Sequence, residues 1–210
     1  MTQVVLATKN PDKLPEIRAV LGALLPHLEF VSGLEWPDVD EDGATLEENA
    51  LLKARAVANA TGYPAIADDT GLEVNSLDGA PGVRTARFAG AAASYADNRT
   101  ALLAALSEAE DRSARFRTAA AFVTPDGSEI VASGELAGAI TAQERGAGGF
   151  GYDSVFEVDG VTLAEMGEEA KNRISHRARA LVALAAALDG WQDGPAKNPS
   201  DQLGSRSGKT

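Results

Sequence analysis

The sequence has no cysteine in its 210 residues and only two histidines, His27 and His176. The absence of cysteine excludes disulfide bonds, zinc sites with thiolate ligands and thiol nucleophiles. No serine lies in the strand-turn-helix elbow of a Ser-His-Asp hydrolase, and no Walker A sequence is present. A thiol nucleophile, a Ser-His-Asp triad and a P-loop are therefore not expected.

Basic residues and long apolar runs are also scarce. The 19 basic residues face 31 acidic ones, giving a net charge of −12. This balance disfavours non-specific binding to nucleic acid or to anionic membranes, although a few local lysines and arginines can still hold a small polyanion. The chain has no run of about 18 apolar residues, so no membrane span is predicted. Residues 1–7 are typical of a strand rather than of a signal peptide, so we expect a cytoplasmic protein.

Strand-like and helix-like patterns alternate along the chain, which is 44% hydrophobic and predicts an α/β fold with a mixed sheet. Strands are predicted at 3–7, 30–31, 65–67, 71–74, 116–124, 129–138 and 154–158. Helices are predicted after an Asn10 cap with Pro11 in the first position, from a Thr45–Glu48 capping box to residue 60, at 98–110 and at 175–188. Residues 1–189 are interpreted as one domain, and the polar residues 190–210 as a disordered tail.

The adjacent carboxylates Asp68 and Asp69 are the most informative feature that is present. They follow the apolar residues 65–67, so we interpret them as the end of a buried strand. Buried carboxylates are costly unless they are paired or hold a cation, and neighbouring ones repel each other. We therefore predict a site for a hard divalent cation, which points to phosphate chemistry. Further carboxylates could come from Glu41 and Asp42, or from Glu47 and Glu48, although the latter also suit a helix start.

Two other motifs fail because of their context. Residues 146–151 match G-x-G-x-x-G, but a strand-like segment follows them and no helix opens, so a dinucleotide site is rejected. Residues 38–43 imitate the start of a calcium loop, but Asn49 stands where the closing glutamate should be.

Three weaker groups of residues are consistent with a nucleotide. The turn at 8–13 joins a strand to a helix start, a suitable place for an anion, although most such turns are only solvated. The glycines around Phe150 and Tyr152 allow close approach of a flat ligand, and an aromatic ring can stack on a base. Lys171, His176 and Arg177 are donors for a keto oxygen or a phosphate.

Six segments, taken together and in order, closely resemble the inosine triphosphate pyrophosphatase family, which includes the bacterial XTP/dITP diphosphatases. The resemblance covers about residues 1–188. That family often has glycine where Lys9 stands, serine where Thr70 stands and proline where Ser154 stands. The segments are TKNPDK at 8–13, TLEENALLKA at 45–54, ADDTGL at 67–72, GAPG at 79–82 with ARFAG at 86–90, GFGYD at 149–153, and Lys171 with SHR at 175–177.

The resemblance implies an elongated fold with two lobes around a central cleft, usually a homodimer. It implies a Mg²⁺-dependent hydrolase that cleaves deaminated purine nucleoside triphosphates, namely ITP, dITP and XTP, to the monophosphate and pyrophosphate. By match to family positions, Asp69 is the proton acceptor and a metal ligand, and Glu41 is the second metal ligand. The implied nucleotide contacts are Thr8, Lys9, Asn10, Pro11, Asp12, Lys13 and Thr70, and the implied base pocket is Phe150, Gly151, Tyr152, Asp153, Lys171, His176 and Arg177.

Two alternatives remain open at this point. One is a pyrophosphatase of the same fold that acts on other modified nucleotides, which base preference would distinguish. The other is a non-catalytic nucleotide-binding regulator, which pyrophosphate release would exclude.

Overall fold

The chain forms a mixed α/β structure, seen here in a computed structural model that describes residues 2–189. Helices cover both faces of a single sheet. The strands are β1 (Thr2–Leu6), β2 (Leu28–Val31), β3 (Ala65–Val74), β4 (Pro81–Gly82), β5 (Ser113–Val123), β6 (Glu129–Ile140), β7 (Phe156–Val158) and β8 (Val161–Thr162). The helices are α1 (Leu14–Leu24), α2 (Leu46–Thr61), α3 (Tyr95–Ala105), α4 (Glu168–Ile174) and α5 (His176–Asp189).

The sheet is mixed, with the order β2-β1-β3-β5-β6-β7-β8 and the short β4 paired to β3. β1 is parallel to β2 and to β3, whereas the other strand pairs are antiparallel. β3 pairs with β5 along its whole length, from Ala65 opposite Val123 to Val74 opposite Ala114. The long strands β3, β5 and β6 therefore run side by side through the whole molecule.

Two lobes share these long strands. In the first lobe, one sheet face packs against α1 and α5 through residues such as Leu21 and Leu184, and the other packs against α2 through residues such as Val57. In the second lobe, a separate core that includes Leu102 and Phe156 joins α3 and β7 to the far ends of the same strands. The predicted α/β class with two lobes is confirmed.

Helix α5 lies very close to β6 because β6 has a glycine at the contact. A Cβ atom on Gly134 would lie 2.3 Å from the backbone nitrogen of Ala180 and 2.5 Å from the carbonyl oxygen of His176. Only a residue without a side chain fits there. This close packing brings the start of α5 to the middle of the sheet.

Several predicted elements are confirmed, namely the hairpin β5–β6, the helix α5 and the capping box of α2. Thr45 and Glu48 cap α2 reciprocally, and the helix ends at Gly62 in the left-handed conformation. One prediction was wrong in an informative way: Asp68 and Asp69 do not end a strand, because β3 continues through them to Val74. The backbone of β5 pairs with both aspartates, so the ladder overrides their weak strand preference.

The start of α1 also differs from the prediction. The helix begins at Leu14, so Asn10 is not its cap and Pro11 is not its first residue. The side chain of Asn10 instead accepts a bond from the backbone N–H of Asp12 at 2.9 Å, and Thr8 Oγ1 accepts one from the N–H of Asn10 at 3.1 Å. Such local bonds compete with helix formation and hold residues 8–13 as a loop.

Helix α3 was predicted too late in the chain. A capping box formed by Ser94 and Asp97 starts it at Tyr95. The helix stops at Ala105, and the Arg112 guanidinium donates to the carbonyl oxygen of Leu106. The prediction also missed the short elements α4, β4 and β8, and it placed the start of β7 two residues too early.

The predicted tail at 190–210 lies outside the described residues. Within residues 2–189, no helix combines the length and the apolar character needed to cross a membrane.

Candidate active site

A cleft of about 430 Å³ opens between the two lobes, within the size range of small-molecule sites. It brings together almost all the residues that the sequence singled out, whereas Pro11 and Asp12 do not line it. The sequence-predicted residues that do line it are Thr8, Lys9, Asn10, Lys13, Glu41, Asp69, Thr70, Phe150, Gly151, Tyr152, Asp153, Lys171, His176 and Arg177.

Asp68 and Asp69 do not form one carboxylate pair. Because both lie in the middle of β3, their side chains point to opposite faces of the sheet. Asp68 faces α1 and α5, where it meets Lys13 and Arg177, and Asp69 faces α2, where it meets Lys53. The idea that a shared cation neutralises the two aspartates is therefore wrong.

A buried network of alternating charges surrounds Asp68. Its Oδ2 accepts bonds from Lys13 Nζ at 2.9 Å and from Arg177 Nε at 3.1 Å. Arg177 also donates from NH1 to Glu16 Oε2 at 2.5 Å, and Ser175 donates to the other oxygen of Glu16. Two cations thus balance two anions, and the carboxylates join α1, β3 and α5 around one end of the cleft.

These cations determine the charge of Asp68. Burial by itself raises the pKa of this carboxyl, but the charges of Lys13, Arg177 and Lys53 outweigh burial and hold the pKa well below its usual range. Asp68 is therefore a permanent anion at neutral pH. Among residues 2–189, its Oδ1 atom has no hydrogen-bond partner although it is buried.

Asp69 has the opposite electrostatic character. Burial is the main cause that raises the pKa of its carboxyl, and the nearby charge of Glu41 raises it further, against the opposing effects of Lys53 and Lys13. Asn49 Nδ2 donates to Asp69 Oδ2 at 3.2 Å, and Lys53 Nζ donates to Oδ1 at 3.2 Å. Asn49 and Lys53 are four residues apart on α2, so both reach the same face of β3.

Lys53 links Asp69 to Glu41. Its Nζ atom lies 2.7 Å from Glu41 Oε2 and 3.2 Å from Asp69 Oδ1. The two carboxylates therefore already converge on one positive charge. Despite burial, the charges of Asp69 and Glu41 raise the pKa of Lys53, so the ammonium stays protonated.

The carboxylates of Glu41 and Asp69, with Lys53 Nζ between them, are candidate ligands for a hard cation such as Mg²⁺. The ion prefers oxygen ligands, and it is usually held by one or two carboxylates together with waters and substrate phosphates. Glu41 and Asp69 are the two carboxylates that could hold it. Within the described part of the chain, no group of three or more acidic, histidine or cysteine residues is suited to a metal. Of the other carboxylates considered, Glu48 Oε2 accepts bonds from the backbone N–H groups of Ala44 and Thr45 in the helix cap, and Glu47 is paired with Arg117.

The loop at 8–13 contributes positive charge from the first lobe. Lys13 reaches inward to Asp68, whereas Lys9 is half exposed and pairs with Asp38 at 2.5 Å. Lys13 therefore belongs to the buried network, and Lys9 lies at the rim of the cleft.

The glycine-rich loop positions an aromatic ring between cations. Gly149 has φ +71°, and a Cβ atom there would lie 2.1 Å from the Asp153 carboxylate, so only glycine fits. That carboxylate accepts bonds from the N–H of Phe150 at 3.0 Å and from Lys171 Nζ at 2.9 Å. Lys171 Nζ is 5.2 Å from the centre of the Phe150 ring, and Arg177 Cζ is 5.8 Å from it. Asp153 thus acts by holding the loop and Lys171 in place.

His176 and Tyr152 form the inner wall of the cleft. His176 stacks on Phe116 with 4.6 Å between ring centres, and its Nδ1 atom lies 2.6 Å from Thr118 Oγ1. Burial lowers the pKa of His176 well below its usual value, so the imidazole is neutral at pH 7. The Tyr152 hydroxyl donates to the carbonyl oxygen of Thr85 at 2.9 Å.

The family pattern of the Ham1 family matches residues 4–187, which is nearly the whole described chain. The chain belongs to the Ham1 family. Similar curated proteins are the dITP/XTP pyrophosphatases of Geobacter sulfurreducens, 49% identical over 91% of this chain and 98% of the relative, and of Streptomyces coelicolor, 47% identical over 88% and 96%. The resemblance seen in the sequence is therefore confirmed.

Solved structures of Ham1 proteins agree with the fold. A HAM1 protein from Coxiella burnetii is 38% identical, with a TM-score of 0.82, covering 90% of this chain and all of that one. A nucleoside-triphosphatase (dITP/XTP pyrophosphatase) from Mycobacterium abscessus is 42% identical, with a TM-score of 0.71, covering 89% of this chain and all of that one.

Sequence reasoning missed several residues of this Ham1 cleft, above all Glu16 and Lys53. Each is a charged residue on the apolar face of its helix: Glu16 precedes Ile17 on α1, and Lys53 lies beside Ala50 and Ala54 on α2. A charged residue that interrupts a buried helical face was the available signal, because such a residue requires a partner.

We predict that Asp68→Asn lowers the free energy of unfolding by about 3–5 kcal/mol at pH 7, the usual cost of breaking a buried ion pair. The folded pKa of Asp68 lies below its unfolded value. Its stabilisation is therefore complete above a pH of about 4 and is lost as the pH falls further. The difference in unfolding free energy between the wild type and the variant should become smaller as the pH falls below about 4. Denaturant unfolding at a series of pH values measures this difference.

The exposed Asp42→Asn is the control and should change stability by less than about 0.5 kcal/mol. A difference between wild type and Asp68→Asn that stays constant from pH 7 to pH 2.5 would contradict the network.

Proposed function

We propose that this Ham1 protein hydrolyses deaminated purine nucleoside triphosphates, namely ITP, dITP and XTP, to the monophosphate and pyrophosphate, in a Mg²⁺-dependent reaction. One observation carries the proposal. A single cleft combines the convergent carboxylates Glu41 and Asp69 with a buried cationic group and with an aromatic ring, Phe150. The names of the relatives support the same substrate class.

Glu41 and Asp69 would hold Mg²⁺, which would neutralise phosphate charge and orient the attacking water. Water attacks the α-phosphorus, and the bond from this atom to the bridging oxygen of the β-phosphate breaks. The proton of the water passes to the Asp69 carboxylate, and pyrophosphate leaves with the electron pair of the broken bond. The position of Asp69 in the cleft, beside Glu41 and Lys53, supports it as the proton acceptor.

Positive charge from the first lobe stabilises the leaving pyrophosphate. Lys13 lies beside the cleft, and Thr8, Lys9, Asn10 and Thr70 complete this side. Asp68 keeps Lys13 in place but offsets part of its charge. The phosphates are therefore expected to lie between Lys13 and Lys53.

The base would stack on Phe150, beside Lys171, His176 and Arg177. Hypoxanthine and xanthine present a keto oxygen at position 6, which accepts a hydrogen bond, whereas adenine presents an amino group there. Nε and NH1 of Arg177 already bond to Asp68 and Glu16, but NH2 makes only a 3.5 Å contact with Thr70. This NH2 group is the donor that we assign to the keto oxygen.

The remaining features of the proposal come from the resemblance and from the sequence. Residues 1–189 act as a single catalytic domain, and the protein works as a homodimer in the cytoplasm. Size-exclusion chromatography with light scattering tests the dimer.

A pyrophosphate-release assay over common and deaminated nucleoside triphosphates, with and without Mg²⁺, tests the function. ITP and XTP should be hydrolysed at least tenfold more efficiently than ATP. Preference for modified pyrimidine nucleotides would favour a different pyrophosphatase, and the absence of turnover would favour a non-catalytic regulator.

In the same assay, Asp69→Asn should lower kcat for ITP by about 10²–10⁴-fold, because it removes the general base and a metal ligand. The fold should persist, since asparagine retains the shape of the side chain. Asp40→Asn, an exposed change in the acidic loop, is the control. Near-normal pyrophosphate release by a folded Asp69→Asn protein would overturn the assignment.

Base selection is tested with Arg177→Lys, which keeps a positive charge near Glu16 but removes the guanidinium NH2. We expect the preference for ITP over ATP in kcat/KM to shrink by about ten- to a hundredfold, the value of a charged donor to a neutral acceptor. Arg179→Lys, on the next position but one of α5, is the matched control. An equal loss of kcat/KM for ITP and for ATP would show that Arg177 does not discriminate between the bases.

A further inference from the structure

Tyr95 bridges the mouth of the cleft from the second lobe to the first. Its hydroxyl donates to Asp12 Oδ2 at 3.1 Å and accepts from Asn10 Nδ2 at 3.3 Å. Its ring centre lies 6.2 Å from that of Phe150, at an interplanar angle of 40°. Burial raises the pKa of the Tyr95 phenol, so the hydroxyl remains protonated at neutral pH and able to donate.

The second lobe holds Tyr95 and the Phe150 loop in a fixed relation. Tyr95 is the first residue of α3, directly after the Ser94 cap. One turn later, Arg99 NH1 donates to the carbonyl oxygen of Gly151 at 2.9 Å, which joins α3 to the loop that carries Phe150. Leu102 anchors α3 in the core of the second lobe.

The partners of the hydroxyl belong to the first lobe. Asn10 and Asp12 lie in the loop that leads to Lys13, and this loop is already held by its own turn bonds. The Tyr95 hydroxyl therefore connects the loop that carries phosphate-binding groups to the body that carries the stacking ring. A bound nucleotide must contact both the loop and the ring, and its own length limits the distance between its base and its phosphates.

We propose that Tyr95 is a substrate-positioning residue that fixes the spacing between the Phe150 base site and the loop at 8–13. This inference rests on the proposed function. A spacing that is set before binding lowers the ordering cost for a ligand that spans both sites. It gives no advantage to a ligand that occupies the phosphate site alone.

The test compares ITP with inorganic tripolyphosphate in Tyr95→Phe, which removes the hydroxyl and keeps the ring. The KM for ITP should rise about two- to tenfold with kcat unchanged, as expected for loss of a solvent-exposed hydrogen bond. The inhibition constant of tripolyphosphate and the melting temperature should stay at their wild-type values. Tyr63→Phe, which removes the same atom from a tyrosine that does not line the cleft, is the matched control.

A double-mutant cycle with Asp12→Ala identifies the partner. The double variant should raise KM no more than the larger single change, because both changes break one bridge. Additive effects, an equal loss of ITP and tripolyphosphate affinity, a fall in kcat at constant KM, or wild-type kinetics in Tyr95→Phe would each overturn the proposal. Calorimetric dissociation constants for ITP and tripolyphosphate give the same comparison even if the wild type releases no pyrophosphate. That absence of turnover would overturn the proposed function but not the positioning role of Tyr95.

Discussion

The structure depends on how two adjacent carboxylates are neutralised in the middle of a buried strand. β3 places Asp68 and Asp69 on opposite faces of the sheet, so each needs its own positive charge. Lys13 and Arg177 supply it on one face, and Lys53 supplies it on the other. These ion pairs also bind three helices to the sheet, so the requirement for charge balance positions the walls of the cleft.

The two aspartates acquire different roles from these surroundings. Asp68 is held as a permanent anion by three cations and serves to position Lys13 and Arg177. Asp69 is buried beside a second carboxylate, Glu41, and both burial and this neighbouring charge raise its pKa. Because β3 passes from the core of the first lobe at Ala67 to that of the second lobe at Leu72, Asp69 lies between the two lobes.

Local patterns in the sequence predicted much of this arrangement. The Thr45–Glu48 capping box, the β5–β6 hairpin and helix α5 follow from short-range rules, and nearly all of the residues that the ordered motifs singled out line the cleft. The side on which Asp68 lies was not predictable, because an Asp-Asp-Thr sequence resembles a strand end until the pairing with β5 is known. The bond between Glu16 and Arg177 joins residues 161 positions apart, beyond the reach of any local pattern. Asn10 had two local options, and only the loop geometry distinguishes a turn from a helix cap.

The central claim is that the adjacent aspartates have opposite pKa shifts, because three cations surround Asp68 whereas burial and Glu41 dominate at Asp69. Carboxyl-carbon NMR titration of Asp68 and Asp69 tests it directly in the folded protein. Asp69 should titrate above the usual aspartate value of about 4, and its pKa should fall in Glu41→Gln, whereas Asp68 should stay ionised well below that value. An Asp69 pKa at or below the usual value, or an Asp68 that titrates together with Asp69 as one carboxylate pair, would contradict the account.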